Sequence, residues 1–261
     1  MSIITISRGS HTRGKEIAEK VANKLGYKCI AREVLIDASA SYNISEVKLL
    51  QAIADPPSFF DRFTRVKEKY ITYIESELLK HLKQDNIVYH GFAGHFFVKD
   101  ISHVLKVRII ADIKDRAKIV MERDKISKKE AFQFLKKIDS QRTKWSKNLY
   151  GIDVVDPVLY DIVINIKNIT VDRAVEIICK AVKLKQFQTT PESQKAIEDL
   201  SLASQVKAAL TDANNETEVY ADGGDIRVKT VSTLSEKEKD KIKKAAEKVS
   251  GVLKVTVQKK V

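Results

Sequence analysis

The sequence predicts an α/β fold, a parallel sheet flanked by helices, with a second, smaller α+β unit behind it. Three features point there. The apolar run Ile3-Ile4-Thr5-Ile6 leads directly into a glycine-punctuated loop, Gly9-Ser10-His11-Thr12-Arg13-Gly14-Lys15, and from there into a helical pattern. Apolar, β-branched runs then recur through the first 185 residues with helical stretches between them, as in parallel strands joined by crossover helices. Residues 198–261 carry separate helix, hairpin and helix–strand signals around Asp222-Gly223-Gly224.

Taken in order, Ile17, Val21 and Leu25 fall at helical spacing, and Gly26 ends the pattern as a C-terminal cap. A short strand is expected over 27–32 and a helix from Val34. Asp55-Pro56-Pro57 interrupts the chain, because proline disfavours helix in the residue before it. A long helix is expected from about Phe59 to Lys83, with Val66, Tyr70, Tyr73, Ile74, Leu78 and Leu82 as its apolar positions. Residues 86–91, 104–110 and 160–166 read as core strands, 115–125 and 127–145 as charged helices, and 170–183 as an amphipathic helix. The polar, proline-punctuated stretch 186–197 reads as a linker between a domain at 1–185 and a module at 198–261. Within that module the expected order is α-β-β-α-β, with its first helix over 200–210.

The 261 residues carry 47 Lys and Arg against 35 Asp and Glu, a formal net charge of +12, and the excess lies ahead of residue 198. Basic residues are interleaved with acidic ones rather than massed, and no nucleic-acid-binding motif stands out, so a phosphate-bearing small molecule is a better partner than a nucleic acid. Cys29 and Cys179 are too few for a disulfide framework, which suits a reduced, cytoplasmic setting. No apolar stretch approaches the roughly 20 residues that span a bilayer, and the N-terminus has no export-signal pattern.

The spacing G-x-x-x-x-G-K between a strand and a helix is that of a phosphate loop. Backbone N–H groups and the positive end of the helix converge where phosphate oxygens can sit, and the lysine adds a point charge. Gly9, Ser10, His11, Thr12, Arg13, Gly14, Lys15 and Glu16 are therefore the candidate phosphate-binding residues, with Arg8 and Arg13 adding positive charge. Glu16 stands where a Mg²⁺-holding Ser or Thr normally follows the lysine. Phosphoryl transfer needs cations placed where negative charge develops, and Arg123 and Arg142, at the ends of a charged helical hairpin able to close as a lid, are candidates beside Lys15. His90, His95 and His103 lack the cysteine or clustered carboxylates of a metal site; His90, at the end of a strand, is placed to line a pocket. Tyr42, Trp145 and Tyr150 read either as base-stacking or as packing residues.

The segments ITISRGSHTRGKEIAEKVANKLGY, AREVL, VYHGFAGHFF, VLKVRIIADIKDRAKIVMER and LYGIDVVDPVLYDIVINIKNITVDRAVEII resemble the cytidylate kinase-like family of nucleoside monophosphate kinases, in the family's order over residues 1–183. The resemblance implies a P-loop NTPase sheet, ATP with Mg²⁺ as phosphoryl donor and a CMP-like nucleoside monophosphate as acceptor. It also implies Arg32 near the acceptor and Arg123 and Arg142 as lid arginines. Glu16, the bulky His11-Thr12-Arg13 and Phe92, where cytidylate kinases have an arginine, depart from the pattern, although relatives often show glutamate at the position of Glu16. These departures define the alternative, a catalytically degenerate nucleotide sensor. Residues 198–261, with ASQVKAAL, VYADGGDIRVKTV and AAEKVSGVLKVTV, are similar to the BON domain, which implies a regulatory or localising module that engages a phospholipid surface or a protein partner.

Overall fold

The structure is a computed structural model that describes residues 1–54, 64–91, 94–211 and 217–260. Five parallel strands form the main sheet: β1 (Ile3–Arg8), β2 (Lys28–Ile30), β3 (Ile87–His90), β4 (Val104–Ile110) and β5 (Ile162–Asn165), in the order β2-β3-β1-β4-β5. β1 lies between β3 and β4 and packs into a core on each face of the sheet, which is why its sequence is a continuous apolar run. Its side chains alternate between two cores: Ile3 joins Ile87, Tyr89 and Val104 on one face, and Ile4 and Ile6 join Val88, Leu105 and Val107 on the other.

The second of these faces is closed by α1 (Gly14–Leu25) and α8 (Val171–Ala181), which pack on each other through stripes that include Ile17 and Val21 on one helix and Ala174 and Ile178 on the other. Gly26 ends α1 at φ 69°. The first face carries α2 (Glu33–Tyr42), α3 (Glu46–Ala54), α4 (Thr64–Leu82) and the single turn α5 (Gly94–Phe97). Asp55-Pro56-Pro57, the expected start of the long helix near Phe59, and Phe92 lie outside the described residues.

A helical hairpin, α6 (Ile113–Asp124) and α7 (Lys128–Tyr150), follows β4. Its halves meet through Ala117, Val120, Ala131 and Leu135, and Ser127 with Glu130 forms a reciprocal cap at the start of α7. This helix runs five residues beyond the expected end at residue 145, to a cap at Gly151.

The stretch expected to be a linker is instead largely helical. α9 (Pro191–Leu210) is one continuous helix that takes in 191–197, capped by Thr190 and Ser193 with Pro191 in its first turn, a position where the missing N–H costs nothing. Its early residue Ile197 belongs to the core that holds α2 to α5, and its late residues Val206 and Leu210 belong to a separate core with Ile226, Val228 and Ile242. That second core lies under a three-stranded sheet of β6 (Thr217–Asp222), β7 (Asp225–Thr230) and β8 (Lys254–Lys259), with α10 (Glu236–Ala246) packed on it. β7 is central, antiparallel to β6 and parallel to β8. Gly223 and Gly224 turn the β6–β7 hairpin at φ 55° and 97°, the two positive values that a tight hairpin turn of matching twist requires. Among the described residues no helix is long and apolar enough to cross a membrane.

Candidate functional site

The loop after β1 is bent tightly enough to use conformations side chains resist. His11 and Arg13 both adopt φ 58°, a left-handed setting that costs non-glycine residues roughly 1–2 kcal/mol each. The two glycines are needed for space. A Cβ on Gly14 would come within 2.7 Å of Arg8 Cβ, and one on Gly9 within 2.9 Å of Thr12 Cγ2. Thr12 donates its hydroxyl to the Gly9 carbonyl at 3.0 Å, closing the loop on itself.

Two arginines hold the loop from the hairpin. Arg116, on α6, donates Nε to the Ser10 carbonyl at 2.7 Å and grips Asp139 of α7 with both terminal nitrogens at 2.9 and 2.8 Å. Arg142, further along α7, donates to the Arg8 carbonyl at 2.6 Å. Guanidinium groups from the hairpin thus fix carbonyls of the loop that the sequence places more than a hundred residues away.

The loop forms one wall of a cavity of about 550 Å³ at the carboxyl ends of β1, β3 and β4, where ligands bind in open α/β sheets. Five arginines reach it: Arg8, Arg32, Arg108, Arg116 and Arg142. Val34, Leu35, Leu50, Ile53 and Ile74 form an apolar shelf on the side of α2 to α4. Among the described residues the one carboxylate at the wall, Asp139, is committed to Arg116. Burial, and then the charge of Arg8, pull Arg142 down to about 10. Arg8 is also lowered by burial, and among the described residues its Nε has no hydrogen-bond partner. Positive charge drawn out of water with so little negative charge beside it is a site that an anion stabilises.

Of the residues singled out by sequence, Gly9, Thr12, Arg32 and Arg142 line this cavity, and the Ser10 carbonyl is held by Arg116 just behind it. Arg32 sits at its rim, paired with Glu46 at 2.9 Å. Gly14 is buried against Arg8, and the His11 ring leans on Phe134 of α7 at 6.2 Å. Lys15, Arg13, Glu16 and Arg123 are not brought to it. Lys15 is exposed with Nζ 3.6 Å from Glu19, and Glu16 takes Arg13 on both carboxylate oxygens at 2.8 and 3.1 Å. There Glu16 acts as an ordinary first-turn acid, favoured by the helix dipole. Arg123 is exposed and paired with Asp124, close enough to His11 that its charge helps depress the imidazole, after burial.

Arg108, Arg116, Asp139 and Tyr160 were not singled out from the residues alone as site residues. Arg116 did leave a trace: it interrupts the inward stripe of α6 formed by Ile113, Ala117 and Val120. A charge on an apolar stripe must find a partner. Tyr160 ends the turn before β5, with its hydroxyl 2.8 Å from the Val154 carbonyl, 3.2 Å from Ser7 Oγ and 3.1 Å from both His95 Nε2 and the donating Arg108 Nη1. His90 lines the cavity at the end of β3, its Nδ1 without a hydrogen-bond partner among the described residues and its pKa lowered by burial and by Arg8. Trp145, Tyr150 and Tyr42 are packing residues: Trp145 is buried with Nε1 on the Ala52 carbonyl, Tyr150 lies against Phe96 and Phe97, and Tyr42 stacks on Tyr73.

His95 gives a pH-dependent expectation. Burial, and then the charges of Arg108 and Lys106, lower its pKa to about 3. Between that value and an unfolded pKa near 6.5, only the unfolded chain binds the proton, so the stability this group contributes is complete above about pH 6.5 and lost as pH falls. Urea unfolding at pH 7 and pH 5 should show the wild type losing about 2 kcal/mol more than His95→Gln. His90 and His103, also depressed, titrate in both proteins. Equal losses in the two proteins would refute the assignment.

Comparison with known proteins agrees with this geometry. Residues 3–168 match the model of the cytidylate kinase-like family. A cytidylate kinase of Saccharolobus islandicus (strain Y.G.57.14) is 28% identical over 199 residues, covering 76% of this chain and all of its own length. A cytidylate kinase of Thermococcus kodakarensis is 33% identical over 106 residues, 41% of this chain and 54% of that protein. An uncharacterized protein from Eubacterium ventriosum superposes with a TM-score of 0.53 at 20% identity, over 71% of this chain and all of its own, a likeness of fold. Strand order, phosphate loop and sequence match converge: the chain belongs to the cytidylate kinase-like family.

Proposed function

We propose that this protein transfers the γ-phosphoryl group of ATP to a nucleoside monophosphate, CMP or a close analogue. The observation that carries the reading is the cavity with a cationic wall on the phosphate loop and an apolar shelf facing it. Triphosphate and acceptor phosphate meet at the arginines, and the acceptor base lies on the shelf of Val34, Leu35, Leu50 and Ile53. Arg142 and Arg116 stabilise the transferred charge, the loop amides hold the donor phosphates, Arg32 and Arg108 receive the acceptor phosphate, and Lys15 and Arg123 swing inward on closure of the hairpin.

Among the described residues, none makes a resident magnesium site. Glu16 is occupied by Arg13 and Lys20, and among the described residues no three His, Cys, Asp or Glu gather in a metal-holding group. Mg²⁺ therefore enters as part of the Mg²⁺–ATP substrate. Residues 198–261 are assigned a regulatory or localising role as a BON-like module. The α-β-β-α-β order supports this, and the two free cysteines suit a cytoplasmic setting.

The test is purified full chain with Mg²⁺–ATP and a panel of nucleoside monophosphates, read as diphosphate formed. CMP should give product, and Lys15→Ala should lower kcat at least about 100-fold. Thermal stabilisation by ATP without any turnover would sink the kinase reading in favour of a nucleotide sensor.

A further inference from the structure

The apolar shelf of the cavity is carried by α2 and α3, and both pack on α4. α4 in turn lies along α9, the helix shared by the two cores. At this second contact a chain of buried hydroxyls and rings crosses from the end of α9 to the end of α2. Thr211, just past α9, has Oγ1 2.8 Å from the Ala208 carbonyl and 3.1 Å from the Tyr73 hydroxyl. The Thr211 hydroxyl, with its one proton, is the donor to both oxygens. The Tyr73 ring lies flat on Tyr42, 3.9 Å between centroids and 5° from parallel. Tyr42, the last residue of α2, donates to Ser76 Oγ at 2.9 Å, one turn further along α4.

Thr211, Tyr73 and Ser76 are 9%, 4% and 0% exposed, and none of the four residues lines the cavity. Ile74, the neighbour of Tyr73, does. A buried hydroxyl that loses its partner is costly and shifts what is packed on it. The nearest ring is that of Tyr42, at the other end of the helix that begins beside Arg32.

We infer that Tyr73 and Thr211 are positioning residues through which the C-terminal module sets the placement of α2 and α3, and so the fit of whatever occupies the shelf. This rests on the shelf being the acceptor side of the cavity. The phosphate loop is held independently, by Arg116 and Arg142, so the module acts on the acceptor and leaves the donor alone.

Hydrogen exchange of the full chain, read by peptide mass spectrometry, compares wild type with Thr211→Val, Thr211→Ser and Tyr73→Phe. Thr211→Val and Tyr73→Phe should speed exchange across 33–54 by about fivefold, the equivalent of one buried hydrogen bond. Peptides from 14–25 and 171–181 should be unchanged, and Thr211→Ser should behave as wild type. Faster exchange confined to 191–230, or equal throughout the chain, overturns the inference. In steady-state assays the same two variants should raise KM for CMP about fivefold, with kcat and KM for ATP within about twofold of wild type; an unchanged KM for CMP in an active enzyme also overturns it. A wild type that makes no product defeats the kinase reading, while the exchange measurement still decides whether the module positions α2 and α3.

Discussion

Replacing Arg142 with methionine is expected to lower kcat for phosphoryl transfer by about 10³-fold, the scale of losing one transition-state arginine. Arg142 is the lid-end arginine that the structure brings to the cavity wall, where it donates to the Arg8 carbonyl. Methionine keeps the length and apolar body of the side chain, so the packing of α7 survives. The charge removed is one that burial and Arg8 already disfavour, which offsets part of the hydrogen bond lost at the Arg8 carbonyl, so the loss in urea unfolding should stay below about 2 kcal/mol while activity collapses. A collapse in rate with so small a loss of stability separates an electrostatic role from a structural one. A fall in kcat below about tenfold would remove Arg142 from the reacting centre.

Asp139→Ala should be the more damaging change for stability, at about 2 kcal/mol in urea unfolding. It leaves the Arg116 guanidinium, 9% exposed, without its bidentate partner, while Asp139 itself is 40% exposed, which keeps the loss below that of a fully buried pair. The double variant Arg116→Met, Asp139→Ala should recover much of the loss, because no uncompensated charge is left behind. If the two single losses simply add, Arg116 and Asp139 are not coupled and the loop is held by other means. Activity should not recover with stability, since the double variant still lacks the guanidinium that holds the Ser10 carbonyl.

Much of the fold was legible because its signals are local. The strands at 104–110 and 87–90 are apolar runs that the alternation of a two-faced sheet requires, and the structure keeps them within a residue of their expected bounds. Gly26 and the Asp222-Gly223-Gly224-Asp225 turn adopt the positive φ values that mark such positions. The stretch read as a linker is helical from Pro191 on for an equally physical reason. Thr190, Pro191 and Ser193 are turn residues by composition, but the same residues cap a helix when the chain after them has something to pack on. Ile197 and the core around α4 supply it.

The candidate site was legible only in part. The phosphate loop is a contiguous motif, so its spacing, its glycines and its place between strand and helix can be read from the chain. Which side chains of that neighbourhood face the cavity cannot, since rotamers answer to partners far away: Lys15 turns to Glu19, Glu16 to Arg13 and Arg123 to Asp124. What the sequence by itself determined is the strand–loop–helix opening, the parallel α/β class, the membership of residues 3–168 in a kinase-like family and the order of elements in the C-terminal module. Only the tertiary structure decided that Arg8, Arg32, Arg108, Arg116 and Arg142 converge on one cavity and that α9 belongs to two cores at once. Hydrophobic period and turn chemistry act over a few residues, whereas the meeting of charges separated by a hundred residues is set by how the sheet orders its strands.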